Sequence, residues 1–287
     1  MRKQHTLAVL VKHLARIAHT ISDLIRTNLE HDIAANTLLT AYRQCSEMSQ
    51  SAMTITEFAD MASELLIYSC FVARYYQSES GVFQRQYIAS ILTYAHPLQR
   101  QCVEAIISLE TGGAAACIDE MVCLLATVDK ESVDRGFQDD ALTHFYELFL
   151  HYYNPRLRAS HGIFYTPEPI IGYMVRSIDQ LLRSRFGCRD GLGEIDADMH
   201  ILDPACGTGV FVQATLECMR AAYQQDGQAE LWREHLHQYF LPRLSGIEVL
   251  ITPYLIAHLR LNLFLASEPG RGQAPPLPCT PIVCLFV

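Results

Sequence analysis

The chain is 287 residues long, half of them hydrophobic and 18% charged, so it buries substantial cores and exceeds the usual size of one domain. Fifteen glycines and twelve prolines exclude a fibrous or disordered chain, and ten scattered cysteines (45, 70, 102, 117, 123, 188, 206, 218, 279 and 284) without a CxxC pair exclude a zinc cluster or a disulfide framework. A net charge of −9 argues against a module that grips nucleic acid unaided, because phosphate binding relies on clustered Lys and Arg. Met1 to His19 carries early positive charge, but Lys12, His13 and Arg16 interrupt its apolar residues. A secretory signal needs an unbroken apolar core, so a helix is expected there instead. No apolar run approaches the ~20 residues of a membrane span. Reduced thiols fit the cytoplasm, so the expectation is a soluble cytoplasmic protein with no membrane partner.

From Leu7 to about Tyr153 the sequence reads as helix after helix. Ile55, Phe58, Ala59, Ala62, Leu65 and Leu66 recur at helical spacing behind a cap at Thr54 or Thr56. Asp139 or Asp140 caps an aromatic-rich helix from Leu142 to Tyr152. Breakers stand near Ser78–Gly81, His96–Pro97 and Thr111–Gly113. β-branched alternation is missing, and an all-α domain over residues 1–153 is expected.

Composition then shifts. Asn154-Pro155 ends the helix, and Arg156, Arg158 and His161 form a short basic stretch, in which Arg156 and Arg158 either contact phosphate or lie on a solvated loop. An extended loop from Gly162 to Pro167 follows, because Pro167 and Pro169 restrict the residues before them. A helix from Pro169 to about Phe186 and a glycine loop at 187–193 come next. Met199 to Leu202 is a short strand, Val210 to Tyr223 a helix, and Leu244 to Val249 a second strand reached through a helix at Trp232. Thr252 is expected to cap a helix from Pro253 to Leu265. Strand, glycine turn, helix, then strand and helix again mark a parallel sheet in an α/β domain.

The sharpest local signal is Asp203-Pro204-Ala205-Cys206-Gly207-Thr208-Gly209. A strand that turns abruptly into a helix needs residues free of Cβ clashes, and Gly207 and Gly209 also let a ligand approach the backbone. The third glycine of a dinucleotide fingerprint is replaced by Val212, and no GK[ST] ending exists, which excludes a phosphate cradle of the P-loop type. Glu248 ends the second strand, where carboxyl ends face the ligand crevice of a parallel sheet. Its carboxylate can accept two hydrogen bonds from a ribose diol, or it is a solvated strand-end residue. Phe164-Tyr165-Thr166-Pro167 sets two aromatics and a hydroxyl on a loop outside the sheet, or plugs a seam between domains. His144, His151 and His161 lack a metal-binding spacing, so no metal is expected.

These three stretches resemble one family. Gly162-Ile-Phe-Tyr-Thr-Pro-Glu-Pro-Ile-Ile-Gly-Tyr-Met-Val175 looks like motif X of the γ-class adenine-N6 DNA methyltransferases. Asp203 to Phe211 is similar to their motif I and Gly246-Ile-Glu-Val249 to their motif II, in the same order. The helical run, with His144-Phe-Tyr-Glu-Leu-Phe-Leu150 ahead of motif X, resembles the single-polypeptide, Type I-like restriction–modification branch. The resemblance implies an incomplete Rossmann-like methyltransferase sheet over residues 154–287 that binds S-adenosyl-L-methionine. Asp203, Pro204, Ala205, Cys206, Gly207, Thr208 and Gly209 would hold the methionine part, and Glu248 the ribose hydroxyls. Val249 would pack on the adenine, and Tyr165, Thr166 and Pro167 would close over the methionine end. DNA would be the substrate, reached through a longer enzyme or a complementing chain, with a protein partner as the alternative role.

The family's catalytic tetrapeptide, [NDS]-P-P-[YFW], accepts hydrogen bonds from the adenine amine and stacks on the flipped base. The sequence lacks it. Asn154-Pro155 is followed by Arg156, and Pro275-Pro276 is flanked by Ala274 and Leu277. No catalytic residue is therefore assigned, and the expectation is a truncated form that cannot methylate DNA by itself. The closing run Ile282 to Val287 is either an aborted third strand or a tail in a shifted frame.

Overall fold

The computed structural model describes residues 2–31, 36–49, 53–77, 83–109, 113–128, 130–137, 140–160, 162–164, 166–195, 198–267 and 283–286. Expectations that fell on Ser78–Gly81, Thr111, Asp139, His161, Tyr165 and the proline-rich stretch from Pro269 to Pro281 lie outside them. The chain divides into two compact units, Met1–Tyr165 and Thr166–Val287.

The described part of the first unit is helical: α1 (Arg2–Glu30), α2 (Asn36–Met48), α3 (Ile55–Tyr76), α4 (Gln86–Leu92), α5 (Pro97–Ile107), α6 (Ala114–Ala126), α7 (Lys130–Phe137), α8 (Ala141–Tyr153) and α9 (Pro155–Ser160). Helix α3 is its centre. Every residue from Phe58 to Ala73 except Asp60 is buried, the pattern of a helix covered on all sides. Thr54, not Thr56, caps it. The Thr54 hydroxyl accepts from the Glu57 N–H while the Thr54 N–H donates to the Glu57 carboxylate, a reciprocal box that satisfies two end donors. Asp140 caps α8 by accepting from the Thr143 N–H. Phe71 and Phe145 stack with ring centroids 3.7 Å apart and tie α3 to α8. Asp60 accepts from the Ser22 and Tyr153 hydroxyls, both at 2.7 Å, which joins α1, α3 and α8 through one carboxylate.

Arg156 and Arg158 lie on a helix, not on a loop. Asn154 caps α9 by accepting from the Leu157 N–H at 3.0 Å, and Pro155 fills the first helical position, where its missing N–H costs nothing. Arg158 is ion-paired to Glu147, which removes it as a free phosphate contact.

The second unit holds α10 (Glu168–Arg185), β1 (Ile201–Asp203), α11 (Val210–Gln225), α12 (Trp232–His235), β2 (Leu244–Glu248), α13 (Ile251–Ala266) and β3 (Val283–Phe286). Helix α12 runs on through a π turn at Leu236–Phe240 and a 3-10 turn at Leu241–Arg243 into β2. The three strands are parallel in the order β1-β2-β3. Ile201 pairs with Leu244 and Asp203 with Gly246, while Glu248 lies opposite Phe286. Residues 283–286 of the closing apolar run form the third strand. Ile171, Val175, Val212, Leu216, Tyr223, Phe240, Leu244 and Leu261 fill the core. This is the α-rich unit followed by an incomplete α/β sheet that the element order implied. One cap differs. Helix α13 starts at Ile251 behind Leu250, and Thr252 is buried inside its first turn. The Leu250 N–H donates to Glu248 at 2.8 Å, and no side chain caps the first turn of α13. Among the described residues no helix is long and apolar enough to cross a membrane.

Candidate functional site

Strand β1 ends at Asp203, and the next six residues fold back to start α11. Asp203 Oδ1 accepts from the Ala205 N–H at 3.1 Å, a side-chain turn that begins the bend. The Cys206 N–H donates to the Ile247 carbonyl at 2.9 Å and pins the bend to β2. Gly207 and Gly209 both adopt the left-handed region, with φ of +55° and +81°. Their surroundings differ. A Cβ on Gly209 would lie 3.2 Å from Ala257 Cβ, so this glycine lets the turn sit down on α13. A Cβ on Gly207 would meet nothing within 4 Å, so the space beside its backbone is open.

Glu248 reaches across that turn. Its Oε2 accepts from the Gly207 N–H at 2.9 Å and its Oε1 from the Leu250 N–H at 2.8 Å. The glycine bend and the acidic residue one strand over therefore share a hydrogen bond, and each carboxylate oxygen keeps a lone pair for another donor. Val249 follows, 59% exposed. Pro204 and Ala205 are exposed, whereas Cys206, Thr208 and Gly209 are buried and shape the bend from beneath. Asp203 Oδ2 is buried and has no hydrogen-bond partner. Burial pushes the Asp203 carboxyl above its ordinary value, opposed by the Ala205 N–H. An unpartnered carboxylate oxygen beside open backbone suits a ligand that brings a positive or N–H group.

Motif X is placed in part. Tyr165 lies outside the described residues. Thr166 is half-buried, and Pro167 is the exposed residue at the N-terminus of α10, whose Ile171 and Val175 pack in one core with Cys206 and Val212.

A feature the sequence reading missed lies along β1. Helix α10 carries a second apolar stripe, Ile170, Met174, Ile178 and Leu181, at 46–52% exposure, and Leu202 on β1 is 54% exposed. Met174, Ile178, Leu202 and Asp203 line one cleft of about 200 Å³ with Phe211 and Ser245. The signal was present, since α10 has more apolar positions than one buried face can absorb. Among the described residues no three His, Cys, Asp or Glu side chains gather into a metal site.

Residues 137–267 match the N-6 DNA methylase family. No curated protein matches the chain. Three solved structures share its fold. A nuclease-deletion mutant of the Type ISP restriction–modification enzyme LlaGI, in complex with a DNA substrate mimic, aligns over 93% of this chain and 20% of its own, with 20% identity and a TM-score of 0.58. The DrdV–DNA complex aligns over 96% of this chain and 24% of its own, with 21% identity and a TM-score of 0.57. The ATP-dependent Type ISP enzyme LlaBIII bound to DNA aligns over 94% of this chain and 17% of its own, with 21% identity and a TM-score of 0.58. The chain therefore spans a quarter or less of each of these proteins. Residues 137–267 are thus similar to the N-6 DNA methylase family, and the chain shares its fold with restriction–modification enzymes.

Proposed function

We propose that this chain is the cofactor-binding part of an adenine-N6 DNA methyltransferase of the restriction–modification kind, acting in the cytoplasm. Its family generally uses S-adenosylmethionine. The observation that carries the reading is the Gly207 N–H donated to Glu248 Oε2 at 2.9 Å, which holds an acidic residue across an open glycine bend. Asp203 Oδ2 would accept from the cofactor's amino group, and the exposed backbone at Ala205 and the open side of Gly207 would meet its methionine part. Glu248 would take the ribose hydroxyls and Val249 the adenine face, with Tyr165, Thr166 and Pro167 closing the methionine end. The residues fit the ligand's charge: a sulfonium without phosphate calls for carboxylates and close backbone, not a basic cradle. When bound, the cofactor supplies an electrophilic methyl group.

The chain's own residues stop short of using it. Adenine N6 delocalises its lone pair into the ring, so transfer needs acceptors on the amine and a stacking partner for the flipped base. No [NDS]-P-P-[YFW] tetrapeptide occurs in the 287 residues, so we infer that they bind cofactor without methylating DNA. The net charge of −9 agrees, since the grip on DNA would come from elsewhere in a longer enzyme or a complementing chain. Calorimetry with S-adenosylmethionine tests this. Wild-type protein should bind, and Asp203→Ala should weaken binding about 10- to 100-fold, the order expected for a charge-assisted hydrogen bond. A folded wild-type protein that gives no binding heat sinks the reading.

A second reading, one half of a two-chain methyltransferase, has its own supporting observation. Among the described residues β1 is an edge of the order β1-β2-β3, and exposed Leu202 with the α10 stripe flanks that edge. Edge backbone set in an apolar surround invites another strand. Co-expression with a polypeptide bearing the missing tetrapeptide should give a stable complex that Leu202→Lys with Ile178→Glu disrupts. A complex indifferent to both changes would leave the edge unexplained and remove the support for this reading.

A further inference from the structure

Thr166 and Pro167 lead into helix α10, yet little of that helix is held by packing. Of its 18 residues Ile171 and Val175 are the buried ones, one turn apart, and Leu182 is only partly covered. Two apolar anchors fix a point of contact and leave the helix free to swing about it. A polar brace on its C-terminal half removes that freedom. Asp179 Oδ1 accepts from the Leu192 N–H at 2.8 Å, and Oδ2 from Arg183 Nε at 2.8 Å. Arg183 Nη1 and Nη2 donate to the Arg189 and Asp190 carbonyls at 2.6 and 3.0 Å. The gripped loop is itself fixed. Leu192 is buried in the same core as Ile171 and Val175, and Arg243, directly ahead of β2, donates to the Glu194 carbonyl at 2.8 Å.

The loop is shaped to receive this carboxylate. Gly191 adopts φ of +60°, and a Cβ there would lie 2.0 Å from Asp179 Oδ1, so glycine lets the two meet. The brace is not needed to end the helix. Gly187, at φ of +74°, turns the chain, and the Cys188 N–H closes the end by donating to the Leu182 carbonyl at 3.2 Å. We infer that Asp179 is a positioning residue: with Arg183 it locks α10 to the loop ahead of β1, and so fixes where Thr166 and Pro167 stand at the methionine end of the cofactor site. The inference rests on the cofactor reading above. The start of α10 lies about 10 Å along the axis from Val175, so a swing of roughly 5° would carry it about 1 Å, enough to break a hydrogen bond. A helix held in place beforehand also loses less freedom when the ligand arrives.

The test uses the whole chain and three variants. Asp179→Ala removes both acceptors, Arg183→Gln removes the guanidinium that grips the loop carbonyls, and Asp179→Asn keeps an acceptor for the Leu192 N–H. Arg183 is 39% exposed, so Arg183→Gln carries the test should Asp179→Ala fail to fold. Without ligand, backbone amide exchange at Leu192 should speed up about two- to tenfold in Asp179→Ala, and by less in Asp179→Asn. Calorimetry with S-adenosylhomocysteine should show affinity lowered about two- to tenfold in Asp179→Ala and Arg183→Gln, with part of it recovered in Asp179→Asn. Adenosine lacks the methionine part and would be held by Glu248 and Val249, so its affinity should stay at the wild-type value in all three. That difference separates positioning from a general loosening of the unit. Both ligands weakening together, or neither weakening, overturns the inference, and unchanged exchange at Leu192 overturns the brace itself. A wild-type protein that binds neither ligand counts against the cofactor reading, and the positioning of Thr166 falls with it, while exchange still decides the brace.

Discussion

Glu248 and Asp203 stand on the two strands that flank the bend, and their carboxylates are in opposite condition. Both oxygens of Glu248 accept a backbone N–H, from Gly207 and from Leu250, so the carboxylate is oriented before any ligand arrives. Asp203 has one oxygen satisfied by Ala205 and one buried without a partner. Its carboxyl is raised by burial, which has a consequence for stability. A folded-state value above the unfolded one means that the folded protein holds the proton more tightly. The stabilisation this brings is present at acid pH and is lost as pH rises through the raised value, leaving an uncompensated charge at neutral pH. Asp203→Asn should therefore melt at a higher temperature than wild type at neutral pH, with the gap closing toward the ordinary carboxylate range, while cofactor binding falls. Thermal unfolding across pH checks it, and parallel curves for the two proteins would contradict it. The bend and its acidic partner were legible in the sequence because turn chemistry is local. The bond between Gly207 and Glu248 was not, since it depends on the register that sets Asp203 opposite Gly246.

At the scale of elements, caps separate what a sequence announces from what packing decides. Thr54 with Glu57 three residues on is a complete capping signature, and the structure forms both of its bonds. Thr54→Ala should lower unfolding stability by about 1 kcal/mol in a denaturant titration. A change within error would mean that burial of α3 makes its cap redundant. Asn154-Pro155 carried the same kind of signal, a cap followed by proline at the first position, yet it reads equally well as the stop of α8, and it is both. Thr252 shows the reverse. It has the chemistry of a cap, but the helix begins at Ile251 behind Leu250, which leaves Thr252 buried one position inside it with no side-chain cap on the helix. The π turn at Leu236–Phe240 has no local signature. It lies between α12 and β2, where Trp232 and Phe240 pack against Tyr223 in a shared aromatic cluster.

At the scale of the molecule, the likeness to the N-6 DNA methylase family and the order of the motifs could be read directly, because glycine, proline and acidic residues at fixed spacing mark the ends of strands. The apolar stripe on α10 could not, since an amphipathic pattern does not say which of two faces finds a partner. The chain covers nearly all of itself, and a quarter or less of each relative, in alignments to proteins solved with DNA. From the proposed function we infer a division of labour: cofactor capture by these residues, with base recognition and transfer supplied by a longer enzyme or a complementing chain.

Selective labelling of the fifteen glycines with nitrogen-15 offers the most direct check on that division. Titrating S-adenosylmethionine while following the Gly207 amide should give a saturable shift that Glu248→Ala reduces. A Gly207 resonance that stays in place at saturating ligand would contradict the claim that this bend receives the cofactor.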